Sequence, residues 1–297
     1  MTATVLENDG RTIDVDGIST YFLEKGAGDP VLLLHGSGPG VSARANWQHT
    51  IGPLADEFHV LAPDLVGFGD TERPEDVRYS LKTWVDHVWG FLDAQQIDRV
   101  SIVGNSLGGR IALDMASQHP ERVNRMVLMG SPGVGMTLTD GLKALRGYEP
   151  SYDAMRDLLL GFFAVDPSII TPDLIKIRYE ASVANGAFEA YRAMFFDPRH
   201  AGSELGIEAD EVRRILTPAL IVHGREDRVV PLDVGITMLS LLPNADLHVF
   251  SRCGHWTQIE RAAEFSALVR QYLSGAKTSD EAGPSRSSTS SELRYLP

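Results

Sequence analysis

A serine, an acid and a histidine occupy sequence positions from which they could act together in nucleophilic catalysis. Ser106 lies in the pentapeptide Gly-Asn-Ser-Leu-Gly, between a β-like run at 99–104 and a helix-like pattern. Flanking glycines permit a sharp strand-to-helix turn that holds the serine side chain up at the edge of a sheet. A serine hydroxyl is a good nucleophile only when a base takes its proton and an acid orients that base. The chain must therefore also supply a base and an acid near this turn.

His255 and Asp227 are the predicted base and acid. His255 lies in the loop after the last predicted strand, in FSRCGHWTQ, and the chain order serine, acid, histidine suits this type of turn. Asp227 closely follows the strand that ends at Gly224. Its rivals are Glu226 and Asp233, and we favour Asp227 because Glu226 should point the opposite way along an extended loop.

Other reactive side chains near these segments have structural explanations. We expect His35 to support the adjacent glycine loop, His119 to be structural at a helix end, and Asp64 to fix local turns. Cys253 is on no sharp turn, so we expect a partly buried thiol that takes no part in catalysis. The remaining histidines have no predicted position that reaches Ser106; they are His49, His59, His87, His200, His223 and His248.

The glycine-rich loop HGSGPG, residues 35–40, predicts an oxyanion hole. The backbone N–H groups of Ser37 and Leu107 would form the hole, and Gly36 and Gly38 would let substrate approach the backbone. The loop also matches part of a dinucleotide-binding fingerprint, but a proline interrupts that match and the hole explains the same glycines. No cluster of residues has metal-ligand spacing, so we expect neither a cofactor nor a metal.

Short apolar runs alternating with helical patterns predict a mostly parallel sheet that is buried on both faces. A helical pattern at 81–94 is one example of the intervening helices, and two runs near the N-terminus predict an antiparallel hairpin at the edge. The β-like runs lie at 18–24, 31–34, 58–62, 99–104, 125–130, 219–224 and 246–250.

A long helical interval interrupts this alternation at residues 135–210, which are rich in Phe, Met and Leu. We predict a cap over the carboxyl edge of the sheet, where ligands bind in open α/β sheets. The alternative is a set of peripheral helices with no role in binding. The core would then comprise residues 1–134 and 211–273, and the Ser-rich end, 274–297, is expected to be disordered.

Composition narrows the range of partners. The 297 residues carry a net charge of −13, which argues against nucleic acid or an anionic membrane as a partner. An anionic substrate would therefore need a local cation. A single cysteine and the lack of a visible secretory signal lead us to expect a cytoplasmic protein.

Several stretches resemble one enzyme family over nearly the whole chain, up to about residue 273. They are HGSGPGVSARANW, VGNSLGG, RYEAS, HGREDRVVPLD and LHVFSRCGHWTQIE. The chain is similar to the α/β-hydrolase superfamily, and more narrowly to the meta-cleavage product hydrolases, which cut carbon–carbon bonds in ring-opened aromatic compounds. The resemblance implies an eight-stranded, mostly parallel sheet with helices on both faces and a helical cap after strand 6. It also implies a homo-oligomer.

By that resemblance, the site consists of Ser106, Asp227 and His255 together with substrate-binding groups. The implied binding groups are Arg178, Asn46, Asn105 and Trp256. The substrate would be a small anionic dienoate, most similar to 2-hydroxymuconic semialdehyde or an alkyl-ketone analogue. Asn46 could instead cap a helix, Asn105 could merely fill the turn, and Trp256 could be a core residue.

Arg178 also has support from the residues themselves. Thr171-Pro172 predicts a helix start, and the pattern predicts a face formed by Leu174, Ile177, Arg178 and Ala181. An arginine on an apolar face is costly unless it meets an anion, such as a substrate carboxylate. The alternative is an arginine that is salt-bridged or extends to solvent.

Two rival functions and two departures from the family pattern remain open. A carboxylesterase would use the same triad, and a non-catalytic receptor would use the cap to trap a small ligand. Arg44 stands where an aromatic residue is expected, and Arg110 where a small residue is usual. Either arginine could alter oligomer contacts or the pocket for the substituent on C6 of the substrate.

Overall fold

The computed structural model describes residues 10–195 and 205–275, whose strands form a single eight-stranded sheet. Its strand order is β1-β2-β4-β3-β5-β6-β7-β8. The strands are β1 Gly10–Val15, β2 Ile18–Lys25, β3 Asp29–Leu34, β4 Phe58–Pro63, β5 Val100–Asn105, β6 Val123–Met129, β7 Ala219–Gly224 and β8 Ala245–Phe250. All seven predicted runs are therefore confirmed as strands.

The antiparallel edge is formed by strands other than the expected pair. β1 pairs antiparallel with β2, and β2 pairs antiparallel with β4, whereas β3 lies parallel between β4 and β5. The first two predicted runs, β2 and β3, are thus not neighbours, and β1 was missing from the prediction. From β4 to β8 the sheet is parallel throughout, which brings the carboxyl ends of β3, β5, β6 and β7 to the same edge.

Both faces of the sheet are covered by helices, as the continuous apolar strands predict. In β3, Leu32 and Leu34 join an apolar cluster with helices α3 and α4, while Leu33 joins a second cluster with α1, α2 and α12. The core helices are α1 Ala43–Trp47, α2 Ile51–Ala55, α3 Leu81–Ala94, α4 Leu107–Gln118, α9 Ala209–Val212, α10 Leu232–Leu241, α11 Thr257–Glu260 and α12 Ala262–Leu273. None of the described helices is long and apolar enough to cross a membrane.

Four α-helices lie between β6 and α9: α5 Asp140–Arg146, α6 Tyr152–Leu158, α7 Pro172–Val183 and α8 Ala187–Phe195. They share a third apolar cluster, in which Met155, Phe163 and Ile175 pack with Trp256 from the loop after β8. No strand occurs in the described part of this interval. The division into a core and a separate cap at residues 135 and 210 remains a prediction. The predicted disordered tail falls, from residue 276 onward, outside the described residues.

Candidate active site

Ser106 occupies a strained turn between β5 and α4. Its backbone adopts φ 51° and ψ −114°, a conformation that side-chain-bearing residues rarely take. A Cβ atom added to Gly104 would overlap the carbonyl of Gly108, and one added to Gly108 would overlap the carbonyl of Leu34. The glycines on both sides of Ser106 are therefore required by close backbone approach. The strand–turn–helix predicted from the pentapeptide is confirmed.

The predicted acid and base are hydrogen-bonded to each other. Nδ1 of His255 lies 2.8 Å from Oδ2 of Asp227, and both side chains are buried. The other oxygen, Oδ1 of Asp227, accepts the N–H groups of Val229 and Val230 at 2.8 and 2.9 Å. Because an ionised carboxylate only accepts hydrogen bonds, Nδ1 of His255 is assigned as the donor. This tautomer leaves Nε2 with a lone pair that can take a proton.

The rivals of these residues are engaged elsewhere. Glu226 pairs with Arg225 and accepts the N–H of Cys253 at 3.0 Å. Asp233 accepts the N–H of Val234 at the start of α10. Cys253 is fully buried, and burial raises the pKa of its thiol far above the usual range, so a thiolate is disfavoured.

The loop that follows β3 is oriented by His35. Nε2 of His35 accepts the N–H of Leu65 at 3.0 Å, so Nδ1 carries the proton and donates to the carbonyl of Gly36 at 2.7 Å. Burial lowers the pKa of His35 to about 4, which keeps the ring neutral. Since carbonyl and N–H point in opposite directions across a trans peptide, fixing the Gly36 carbonyl also fixes the direction of the Ser37 N–H. Ser37 and Ser106 line the same cavity.

Asp64 fixes the neighbouring turns, as expected. Its two carboxylate oxygens accept the N–H of Ala43 at 2.6 Å and that of Asp70 at 2.8 Å. Burial raises the pKa of Asp64 to about 7. This carboxyl group holds the start of α1, the helix that carries Asn46, against the loop that follows β4.

Arg178 is a buried cation for which the described residues supply no carboxylate partner. Its Nη2 donates to the carbonyl of Pro39 at 3.0 Å, and its guanidinium carbon lies 5.6 Å from the centre of the Trp256 ring. Nε makes no hydrogen bond. Burial lowers the pKa of Arg178 to about 10, so it remains a cation at neutral pH. The glycine loop lies directly against this helix, because a Cβ at Gly40 would overlap the carbonyl of Arg178.

The predicted start of α7 is confirmed, but its predicted buried face is wrong. Thr171 caps the helix by accepting the N–H of Leu174 at 3.1 Å, and Pro172 is the first helical residue. The buried residues are Ile175, Arg178 and Ser182, whereas Ile177 is 61% exposed. The face is rotated because Ser182 packs inward, where its hydroxyl bonds the Tyr148 hydroxyl at 2.9 Å.

The other predicted binding residues are buried. Asn46 lies within α1, and its amide nitrogen has no hydrogen-bond partner in the described structure; Ser42, not Asn46, caps that helix. Nδ2 of Asn105 donates to the carbonyl of Met129 at 3.3 Å. Trp256 packs against Phe163 with ring centres 4.8 Å apart. Each of the three is at most 4% exposed.

Sequence reasoning missed three neighbours of the acid–base pair. Nε2 of His223 donates to the Val230 carbonyl and lies 3.7 Å from Oδ2 of Asp227. Phe163 stands edge-on to His255, and its carbonyl accepts the His255 N–H at 2.9 Å. Glu260 accepts the N–H of Gly254 at 2.6 Å. The position of His223 at the end of β7 could have pointed to the acid loop; Phe163 carried no comparable signal.

The two departures from the family pattern lie in different environments. Arg110 is 4% exposed, pairs with Asp114 on the same helix at 2.5 Å and donates to the carbonyl of Gly206 at 3.3 Å. Gly206 lines the cavity beside the nucleophile, so Arg110 supports one wall of that cavity. Arg44 donates to the Tyr21 hydroxyl at 3.2 Å, away from the cavity.

The sheet, the serine turn and the buried acid–base pair define a hydrolase of the α/β type, and the comparisons agree. The profile of the alpha/beta hydrolase fold family matches residues 29–262. The chain therefore belongs to the α/β-hydrolase family and, within it, to the meta-cleavage product hydrolases.

Particular relatives place the chain within that group. A 2-hydroxymuconate semialdehyde hydrolase of Pseudomonas sp. (strain CF600) is 47% identical over 90% of this chain and 94% of its own length. A 2-hydroxy-6-oxo-2,4-heptadienoate hydrolase of Pseudomonas putida is 46% identical over 89% of this chain and 96% of its own length. One similar solved structure is a serine-to-alanine mutant of a meta-cleavage product hydrolase from Pseudomonas fluorescens IP01, complexed with acetates. It superposes with a TM-score of 0.86 and is 46% identical, and the match covers 90% of this chain and 98% of that chain.

Proposed function

We propose that this enzyme hydrolyses the C5–C6 bond of a 2-hydroxy-6-oxohexa-2,4-dienoate, such as 2-hydroxymuconic semialdehyde or an alkyl-ketone analogue. The products are 2-hydroxypenta-2,4-dienoate and a carboxylic acid, which is formate when C6 is an aldehyde. The names of the relatives at 46–47% identity support this substrate class. The reaction belongs to the degradation of aromatic compounds after ring opening.

The observation that carries the proposal is the buried, unpaired Arg178. A buried cation is costly unless an anion joins it, and the described residues offer Arg178 only the carbonyl of Pro39 and the Trp256 ring. A substrate carboxylate would supply the missing charge and could accept two parallel hydrogen bonds from the guanidinium. A simple ester has no carboxylate to offer, so an esterase would gain nothing from this residue.

The chemistry begins at the dienol. Breaking a carbon–carbon bond requires an electron sink, so the substrate first ketonises by taking a proton at C5. Nε2 of His255, whose Nδ1–H is held by Asp227 at 2.8 Å, would take the proton that the C2 hydroxyl loses and deliver it to C5. Asn46 and Asn105 would hydrogen-bond the oxygen on C2, and Trp256 would form part of the pocket wall.

Cleavage follows at the C6 carbonyl. The backbone N–H groups of Ser37 and Leu107 would stabilise the oxyanion, with Gly36 and Gly38 leaving room for the substrate beside the backbone. After the nucleophile adds to C6, the C5–C6 bond breaks, and the ketonised fragment accepts the electron pair of that bond. The nucleophile is either Ser106, giving an acyl-enzyme that water hydrolyses, or a water molecule activated by His255. A pre-steady-state burst of dienoate under rapid mixing would identify the acyl-enzyme route.

The test is loss of the yellow colour of the ring-fission products. Purified enzyme is mixed with the products of catechol, 3-methylcatechol and a biphenyl diol, with p-nitrophenyl acetate as the ester control. We expect rapid bleaching of the first two, slow loss of the third, and collapse of the rate in Ser106→Ala. Unchanged absorbance with brisk ester turnover would leave an esterase, and binding without any turnover would leave a receptor.

Three wider features belong to the same proposal. We propose that residues 135–210 form a cap over the site, supported by the packing of Phe163 on Trp256.

We also propose a homo-oligomer, because β8 is the last strand of the sheet and Val249 on it is 37% exposed. A cytoplasmic location is supported by the single cysteine. Light scattering of the purified protein would test the oligomer.

A further inference from the structure

A cavity of about 150 Å³ opens beside the nucleophile. Ser37, Ser106 and Thr137 line it together with apolar residues that include Leu142, Leu145 and Leu205. One charged side chain is part of the lining, that of Arg146 at the end of α5. Several leucines beside a single cation suit a ligand with an apolar stem and an anionic end.

The cavity would accommodate the part of the substrate on the C6 side of the bond that breaks. This assignment rests on the proposed function, in which the dienoate carboxylate binds Arg178. Arg178, Asn46 and Trp256 are absent from the lining, although Ser106 is present. A substrate that extends in one direction from Ser106 toward Arg178 must therefore place its C6 substituent in this cavity.

Arg146 has no anionic partner among the residues that the structure describes. It is half-buried, and among residues 10–195 and 205–275 it makes no ion pair and no side-chain hydrogen bond. Lys143, one turn earlier on α5, pairs with Asp140 at 2.9 Å. A cation in the last turn of a helix is favourable for the helix, but that does not explain its place beside the nucleophile.

We propose that Arg146 selects substrates whose C6 substituent is a short alkyl chain ending in a carboxylate. The volume is comparable to that of cavities that bind benzene, and a carboxyethyl group has fewer heavy atoms than benzene. The methylene groups would pack on Leu142 and Leu205, and the carboxylate would meet the guanidinium. Such a substrate is a dianion, which a chain of net charge −13 repels at long range, so a cation at each end of the site offsets that repulsion.

The test compares two ring-fission products of nearly equal size, those of 3-(2-carboxyethyl)catechol and 3-butylcatechol. We expect the wild-type enzyme to show a kcat/KM at least about ten-fold higher for the carboxyethyl compound. In Arg146→Met and Arg146→Gln this ratio should fall to about one or below. Lys143→Met, which removes a charge from the same helix outside the cavity, should keep the wild-type ratio. The wild-type ratio should also fall as NaCl is raised, because the guanidinium is partly exposed.

A wild-type ratio near one, or a ratio that both Arg146 variants retain, would overturn the inference. Because the readout is a ratio measured within one protein, a general loss of folded enzyme does not imitate the effect. The product of catechol separates the two proposals. If it is bleached rapidly while the ratio stays near one, only the role of Arg146 is lost; if none of the three products is cleaved, the proposed function itself is wrong.

Discussion

Glu260 and Val165, which are 95 residues apart in sequence, are joined by a hydrogen bond of 2.7 Å between Oε2 and the backbone N–H. The same oxygen accepts the N–H of Asp166 at 3.2 Å, and Oε1 accepts the N–H of Gly254 at 2.6 Å. One carboxylate therefore connects the segment before α7 to the residue that precedes His255. We interpret Glu260 as a positioning residue that acts through the histidine loop without contacting substrate.

Replacing Glu260 by Gln should reduce activity, because an amide has only one accepting oxygen. It cannot accept hydrogen bonds from both the Val165 N–H and the Gly254 N–H. A charge-assisted hydrogen bond contributes about 1.5–3 kcal/mol, so we expect kcat to fall by about ten- to one-hundred-fold. Steady-state kinetics on the catechol product, together with the pH profile of kcat/KM, would measure the effect. Glu264→Gln is the control, because Glu264 pairs only with Arg261 at the surface. Equal rates in the two variants would show that Glu260 is not a positioning residue.

Asp227→Asn should be far more damaging than Glu226→Gln. An amide at residue 227 favours the wrong tautomer of His255, and loss of the acid in other triads lowers kcat by about ten-thousand-fold. Glu226 is on the outer side of the loop and pairs with Arg225, so its variant should stay within about three-fold of wild type. kcat measured on the catechol product would compare the two. A severe defect in Glu226→Gln with mild loss in Asp227→Asn would reverse the assignment of the acid.

Much of this site could be predicted because its signals are local. The turn at Ser106 is dictated by glycines two residues away on either side, and the helix start at Thr171-Pro172 depends on adjacent residues. Asp227 was chosen over Glu226 on the expectation of an extended loop, which is wrong, because residues 225 and 226 form a turn in which the Asp227 N–H donates to the Gly224 carbonyl at 3.2 Å. β1 escaped prediction because most of its residues are exposed, which leaves little apolar pattern to detect.

The parts that could not be predicted depend on distant contacts. The exposure of Ile177 and the burial of Ser182 are decided by what packs on α7, including Tyr148. The approach of His223 to Asp227 depends on the turn between them, and the contacts of Glu260 depend on how the helical interval folds back. Sequence spacing carries no information on such pairs, so the neighbours of the triad were visible only in the folded chain.

Arg178→Met should separate stability from function. Methionine fills similar space without a charge, and it avoids the free-energy cost of burying a cation that no anion neutralises. We therefore expect a higher Tm without ligand and a kcat/KM at least about one-hundred-fold lower on the catechol product. Lys176→Met, on the exposed side of α7, is the control for both measurements. A lower Tm together with unchanged kcat/KM would mean that Arg178 is structural.

Asp64 should make stability depend on pH near neutrality. Its pKa is raised by burial from 3.8 to about 7, so between these values the folded protein holds a proton that the unfolded chain has released. The contribution of Asp64 to the free energy of unfolding is therefore greatest at low pH and decreases as the pH rises toward 7. The decrease is roughly 4 kcal/mol at most between the unfolded and the folded pKa of Asp64. Urea unfolding at pH 5, 6, 7 and 8 would measure it, with Asp64→Asn expected to remove this slope. Asp86→Asn, on the exposed side of α3, should follow the wild-type curve. Parallel curves for wild type and Asp64→Asn would mean that Asp64 does not bind a proton in this range.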